Sequence, residues 1–151
     1  MAEPSIKAEK EVVDDGIDVG ISRLTEANIA SAINSVIDAE TGARLKTYVD
    51  TCIHCGLCSE ACHYYLSHDK DPHYSPVGKV KQTIWEMLSK KGRVSPGFIR
   101  KAAIIAHTEC NLCKRCAQYC PFGIDIAYLM SVVRRIIHKL GVTPLYIQDT
   151  A

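Results

Sequence analysis

An all-α fold is what this chain of 151 residues predicts, and three observations carry the expectation. Apolar residues recur at helical spacing along several stretches. Most of these stretches open on a residue suited to capping a helix, namely Thr25, Ser75, Ser95 or Asp125. Nowhere does the chain show the sustained two-residue alternation of a half-buried strand.

The segment 1–22 mixes charges, glycines and isolated apolar residues without a period. It reads as a disordered tail, or as an arm in which Val12, Val13, Ile17, Val19 and Ile21 order against a partner protein. Residues 23–151 then form one domain. From Thr25 a helix carries Ile29, Ile33, Val36 and Ile37 on one face, a stripe expected to cover the protein's own core. Gly42 ends it or separates it from a segment bearing Leu45, Tyr48 and Val49. Ser75-Pro76 and Ser95-Pro96 each place a capping serine before a proline at the first helical position. The first of these helices presents Val80, Ile84, Met87 and Leu88 inward and stops at Gly92. The second presents Ile99, Ala102, Ala103, Ile105 and Ala106. Trp85, the one tryptophan, is assigned to core packing, with an interface anchor as the alternative. The last helix runs from Asp125 to Leu140 on a stripe of Ile126, Leu129, Met130, Val133, Ile136, Ile137 and Leu140. Arg134, Arg135, His138 and Lys139 are read as a solvated face, with docking of an acidic partner as the alternative.

The chemistry lies between these helices. Cys52, Cys55, Cys58 and Cys62 form the run C-x-x-C-x-x-C-x-x-x-C, and Cys110, Cys113, Cys116 and Cys120 repeat it, followed by Pro121. This is the ligand spacing of proteins holding two [4Fe–4S] clusters, in which the fourth cysteine of each run serves the other cluster. Three thiolates three residues apart curl one loop around a cubane, and the fourth points away toward its neighbour. Cluster I is therefore assigned to Cys52, Cys55, Cys58 and Cys120, and cluster II to Cys110, Cys113, Cys116 and Cys62. Competing readings are a disulfide framework, which suits short secreted chains, two four-cysteine zinc sites, for which separated C-x-x-C knuckles are the usual pattern, and cysteines as mere apolar filler, for which an exact repeat is improbable. Lys114 and Arg115, inside the second loop, would favour the reduced state of cluster II, against a plain role in surface solvation. His54 is read as facing solvent rather than bonding to cluster I. His68 and His73, in the loop before Ser75, are read as solvated.

A formal net charge of +1 gives no electrostatic case for nucleic acid or an anionic membrane as the main partner. No apolar run is long enough to span a bilayer, and the first ten residues lack the apolar centre of a secretory signal. The expected location is cytoplasmic, with peripheral membrane attachment through a partner left open.

The 47 positions 63–109 between the runs separate them much further than in compact β-hairpin ferredoxins. With their helical pattern, they resemble the α-helical ferredoxin family, which implies a pseudo-twofold order of helix, cysteine loop and helix. Within it, the stretch from Cys52 to Cys58, Cys62-His63-Tyr64-Tyr65-Leu66, Asp71-Pro72, and Cys110 to Cys120 with Pro121-Phe122-Gly123-Ile124-Asp125-Ile126 are similar to the C-type component of heterodisulfide reductase and to the N-terminal part of protein K of the dissimilatory sulfite reduction complex. His63 departs from the proline that often follows the fourth cysteine. The resemblance implies an electron-transfer component of a sulfur-metabolism complex. It would stand between a flavin-containing protein like the A-type component of heterodisulfide reductase and a catalytic protein like its B-type component, bearing C-C-G motifs. This chain has no Cys-Cys pair and no G-x-G-x-x-G fingerprint, so no catalytic residue is assigned to it. The alternatives are a freestanding diffusible ferredoxin and a zinc-stabilised interaction module.

Overall fold

In a computed structural model, residues 15–38 and 42–150 are described, and every regular element among them is a helix. The order is α1 (Asp15–Ser22), α2 (Glu26–Val36), α3 (Gly42–Thr51), a 3-10 turn (Leu57–Ala61), α4 (His63–Ser67), a 3-10 turn (Pro72–Tyr74), α5 (Pro76–Val80), a π-helical turn (Lys81–Trp85), α6 (Glu86–Ser89), α7 (Pro96–His107), α8 (Arg115–Gln118), α9 (Ile126–Lys139) and α10 (Leu145–Gln148). α5, the π turn and α6 follow one another without a break.

The caps act where their residue types suggest. Thr25, Ser75, Ser95 and Asp125 each accept a hydrogen bond from the amide three residues on, answering one of the free donors at a helix start. α9 is the central element, packing against α2, α5, the π turn, α7 and α8. Its buried set is wider than the expected stripe, because Ala127 and Val132 are enclosed as well. The helix closes where Gly141, at φ 68°, lets the Val142 amide reach back to the Ile137 carbonyl at 3.1 Å. Gly42 begins α3 rather than ending the helix before it.

Two expectations change here. Of the segment 1–22, residues 1–14 lie outside the described residues, whereas 15–22 form α1. Ile17 is buried there, and Asp18 meets Arg100 of α7 at 2.8 Å. Trp85 does not fill the core: it is 45% exposed, because the π turn rotates it off the buried face that Thr83 and Ile84 occupy.

α1 lies so close to the turn after α9 that a Cβ built on Gly20 would stand 2.5 Å from the Gly141 carbonyl oxygen and 2.8 Å from the Val142 Cα. Gly20→Ala gains at most ~1 kcal/mol of helix propensity against an overpacking cost of roughly 1–3 kcal/mol. The variant is expected to unfold at lower guanidinium concentration; an unchanged or higher midpoint would show that α1 is not seated there.

Candidate metal centre

The two cysteine loops repeat each other in backbone as well as in sequence. His54 and Leu112, each just before the second cysteine of its run, sit at φ 58° and 57°. Gly56 and Lys114, each just after it, sit at φ 82° and 63°. Left-handed residues between right-handed ones form the concave backbone turns that gather amide groups around anions, Fe–S sites included. Only glycine takes this conformation freely, so Lys114 holds at a cost what Gly56 holds without one.

These turns bend the cysteines around two separate cavities. One is lined by Cys52, Cys55, Cys58 and Cys120, with Ile53, His54, Val77 and Phe122 among its walls. The other is lined by Cys62, Cys110, Cys113 and Cys116, with Tyr64, Lys79, Glu109, Lys114 and Met130. Ile126, the first residue of α9, lines both. The fourth cysteine of each run thus stands in the cavity of the other run. α4 starts immediately after Cys62 and carries the chain away from its own loop.

The donor chemistry suits iron–sulfur clusters: each cavity offers four soft thiol ligands. Among the described residues, no three His, Cys, Asp or Glu side chains converge on a point that a single metal ion would occupy. Burial pushes the Cys58 thiol up to about 11, and burial with the neighbouring thiols pushes Cys116 to about 12. Holding the metal means giving up those protons, because the ligand is the thiolate.

The second cavity has a polar frame that the spacing of residues did not announce. Lys79, on α5, is 2% exposed. Its ammonium donates to the Glu109 carbonyl, lies 4.0 Å from Cys62 Sγ and stands 4.6 Å from the Tyr64 ring centre. Arg134 leaves the face assigned to solvent: its Nε donates to the Ala106 carbonyl at 2.9 Å and a terminal nitrogen donates to the Cys110 carbonyl. It ties the end of α7 to the start of the second loop. Arg135, His138 and Lys139 are exposed, as expected of that face. His73 is not merely solvated either, since its Nε2 meets Glu109 Oε1 at 3.0 Å. His68 is exposed but stacks on Tyr74 at 3.9 Å between ring centres. His54 is exposed at the rim of the first cavity. Partial burial and then the Lys81 charge hold its imidazole below the usual value. Lys114 and Arg115 are both exposed on the wall of the second cavity, and Lys114 is 4.0 Å from Asp125.

Residues 48–124, just over half of the chain, match the 4Fe-4S dicluster domain, and the chain belongs to that family. Among individual proteins, it is 27% identical over 115 residues to the Hdr-like menaquinol oxidoreductase iron-sulfur subunit 2 of Archaeoglobus fulgidus. It is 31% identical over 114 residues to the Hdr-like menaquinol oxidoreductase iron-sulfur subunit of Archaeoglobus profundus. Each alignment takes in 68% of this chain but only 20% of the relative, so the chain spans about one fifth of the length of the curated relatives it matches. No solved structure gives a significant match.

The paired left-handed positions yield opposite expectations for opposite substitutions. A Cβ at Gly56 meets nothing within 4 Å, so Gly56→Ala isolates the backbone cost of about 1–2 kcal/mol. Thermal unfolding should show that loss for Gly56→Ala and a gain for Lys114→Gly. Two losses would show that the loops do not share this strain.

Proposed function

We propose that this chain is an electron-relay subunit holding two [4Fe–4S] clusters. Cluster I is bound by Cys52, Cys55, Cys58 and Cys120, and cluster II by Cys110, Cys113, Cys116 and Cys62. The observation that carries the reading is the exchange of Cys62 and Cys120 between the two cavities. When bound, such clusters supply one-electron, outer-sphere transfer. The chain's own part is to hold them rigid and near each other. Cys62 and Cys120 lock the two loops into one frame, and Ile126, 4% exposed, forms the apolar wall between the cavities. Arg134 and the Lys79–Glu109 bond brace the second loop against α9 and α5. No thiol is left over to act on a substrate, because each of the eight lines one of the two cavities.

The assembly proposed is heterodisulfide-reductase-like, with this chain in the place of the C-type component or of the N-terminal part of protein K. Here the relay would run between a flavin-containing protein and a C-C-G-bearing catalytic protein of sulfur metabolism. The surface supports a bound subunit over a freestanding carrier. Ile53 and Phe122, on the wall of the first cavity, are 64% and 48% exposed, and Leu57 nearby in the same loop is 52% exposed. Apolar side chains at the rim of a redox site suit a covered interface. A second reading of the electron donor comes from the relatives, whose names specify a menaquinol oxidoreductase: a quinol-oxidising partner would take the flavin protein's place. Among the described residues no helix is long and apolar enough to cross a membrane, so the proposed chain would approach a quinol site through a partner.

Anaerobically purified protein is expected to contain about eight irons and eight inorganic sulfides per chain, the content of two cubanes. Cys120→Ser should reproduce the residual paramagnetic signal of Cys55→Ser, and Cys62→Ser that of Cys113→Ser. If Cys120→Ser instead resembled Cys113→Ser, each run would hold its own cluster and the exchange would be wrong.

A further inference from the structure

Two pseudo-symmetric cavities should give two similar clusters, yet their charged surroundings differ. The first is lined by Ile53, His54, Val77, Pro121, Phe122 and Ile126, and no lysine, arginine or carboxylate lines it; the Lys81 charge that reaches His54 is exposed. Around the second stand Lys79, Lys114, Arg115 and Glu109. Lys114 and Arg115 are exposed, where water screens a charge to little effect. Lys79 differs in kind. It is enclosed, 4.0 Å from the sulfur of Cys62, and among the described residues no carboxylate lies within 4.0 Å of its ammonium. Among the described residues, its close acceptors are the Glu109 carbonyl and that sulfur, with the face of Tyr64 beside it. The Glu109 side chain also lines this cavity; its Oε1 meets His73 at 3.0 Å and its Oε2 is buried without a hydrogen-bond partner.

An enclosed ammonium without a carboxylate is costly unless another anion compensates it. A cubane held by four thiolates is anionic, and one-electron reduction makes it more so. A fixed cation beside one of its sulfurs therefore favours the reduced form. Resting on the ligand assignment proposed above, the geometry points to Lys79 as the residue that sets cluster II at a higher reduction potential than cluster I, so that cluster II is the member of the pair on which an electron comes to rest. Its place on α5 follows from the capped turn at Ser75-Pro76, which directs Pro76, Lys79, Val80, Thr83 and Ile84 to the buried side. Lys79 acts through the field it sets at the ligand sulfur. It is a positioning residue and touches no substrate.

The test is a potentiometric titration of the cluster-loaded protein, with the two clusters told apart by the Cys55→Ser and Cys113→Ser signals. Lys79→Gln removes the charge while keeping a donor for the Glu109 carbonyl. It is expected to lower the reduction equilibrium constant of cluster II at least tenfold, 59 mV for one electron, with cluster I moving much less. Lys79→Arg, which keeps the cation, should restore most of the difference, and Lys114→Gln should leave both clusters near their original potentials. A Lys79→Gln protein with full iron content and an unmoved cluster II would overturn the proposal. So would equal shifts of both clusters, or an arginine variant no better than glutamine. If the cluster that moves is instead the one lost in Cys55→Ser, it is the assignment of Cys62 that has failed, since the lysine would then be acting on the first run's cluster.

Discussion

The structure depends on one exchange. Each cysteine loop supplies three thiols to its own cavity and sends its fourth to the cavity of the other loop. The helices that follow are arranged to make this possible. α4 leaves directly from Cys62, α9 starts six residues after Cys120, and the first residue of α9 forms the partition between the cavities. Under the ligand assignment proposed above, metal–thiolate bonds would cross between the two halves of the chain and add rigidity, so that binding energy becomes folding energy.

The core is built around that arrangement. α9 is buried along most of its circumference because α2, α5 and α7 surround it, which leaves α1 to close the far side against α7 and the turn after α9. The polar contacts are concentrated near the second loop, where Lys79 and Arg134 bond to backbone carbonyls of Glu109 and Cys110 and His73 holds the Glu109 side chain. The first loop has apolar neighbours, several of them exposed. Repetition of sequence produced two similar folds of the backbone; the surroundings made them chemically unequal.

Much of this was legible beforehand, for reasons that are local. Capping residues, prolines at first helical turns and helical stripes act within one or two turns of chain, so Thr25, Ser75, Ser95 and Asp125 announce their helices. Some signals were present but overlooked. Pro76, Lys79, Val80, Thr83, Ile84 and Met87 recur at helical spacing and are all buried, so a lysine and a threonine inside an apolar stripe were the mark of a polar site. The π turn that exposes Trp85 and the docking of α1 on α7 have no such mark, because each depends on what a distant part of the chain leaves open.

By itself, the sequence determined the helical class, the eight thiols and their grouping into two runs, since spacing along the chain decides which ligands one loop can bring together. Which thiol faces which cavity, which cation is shut away from water, and which apolar side chains stay at the rim were decided only by tertiary packing. Those properties depend on residues dozens of positions apart meeting in space, as Lys79 meets Glu109 and Cys62. A charge influences its neighbour strongly only where the intervening space holds no solvent to screen it.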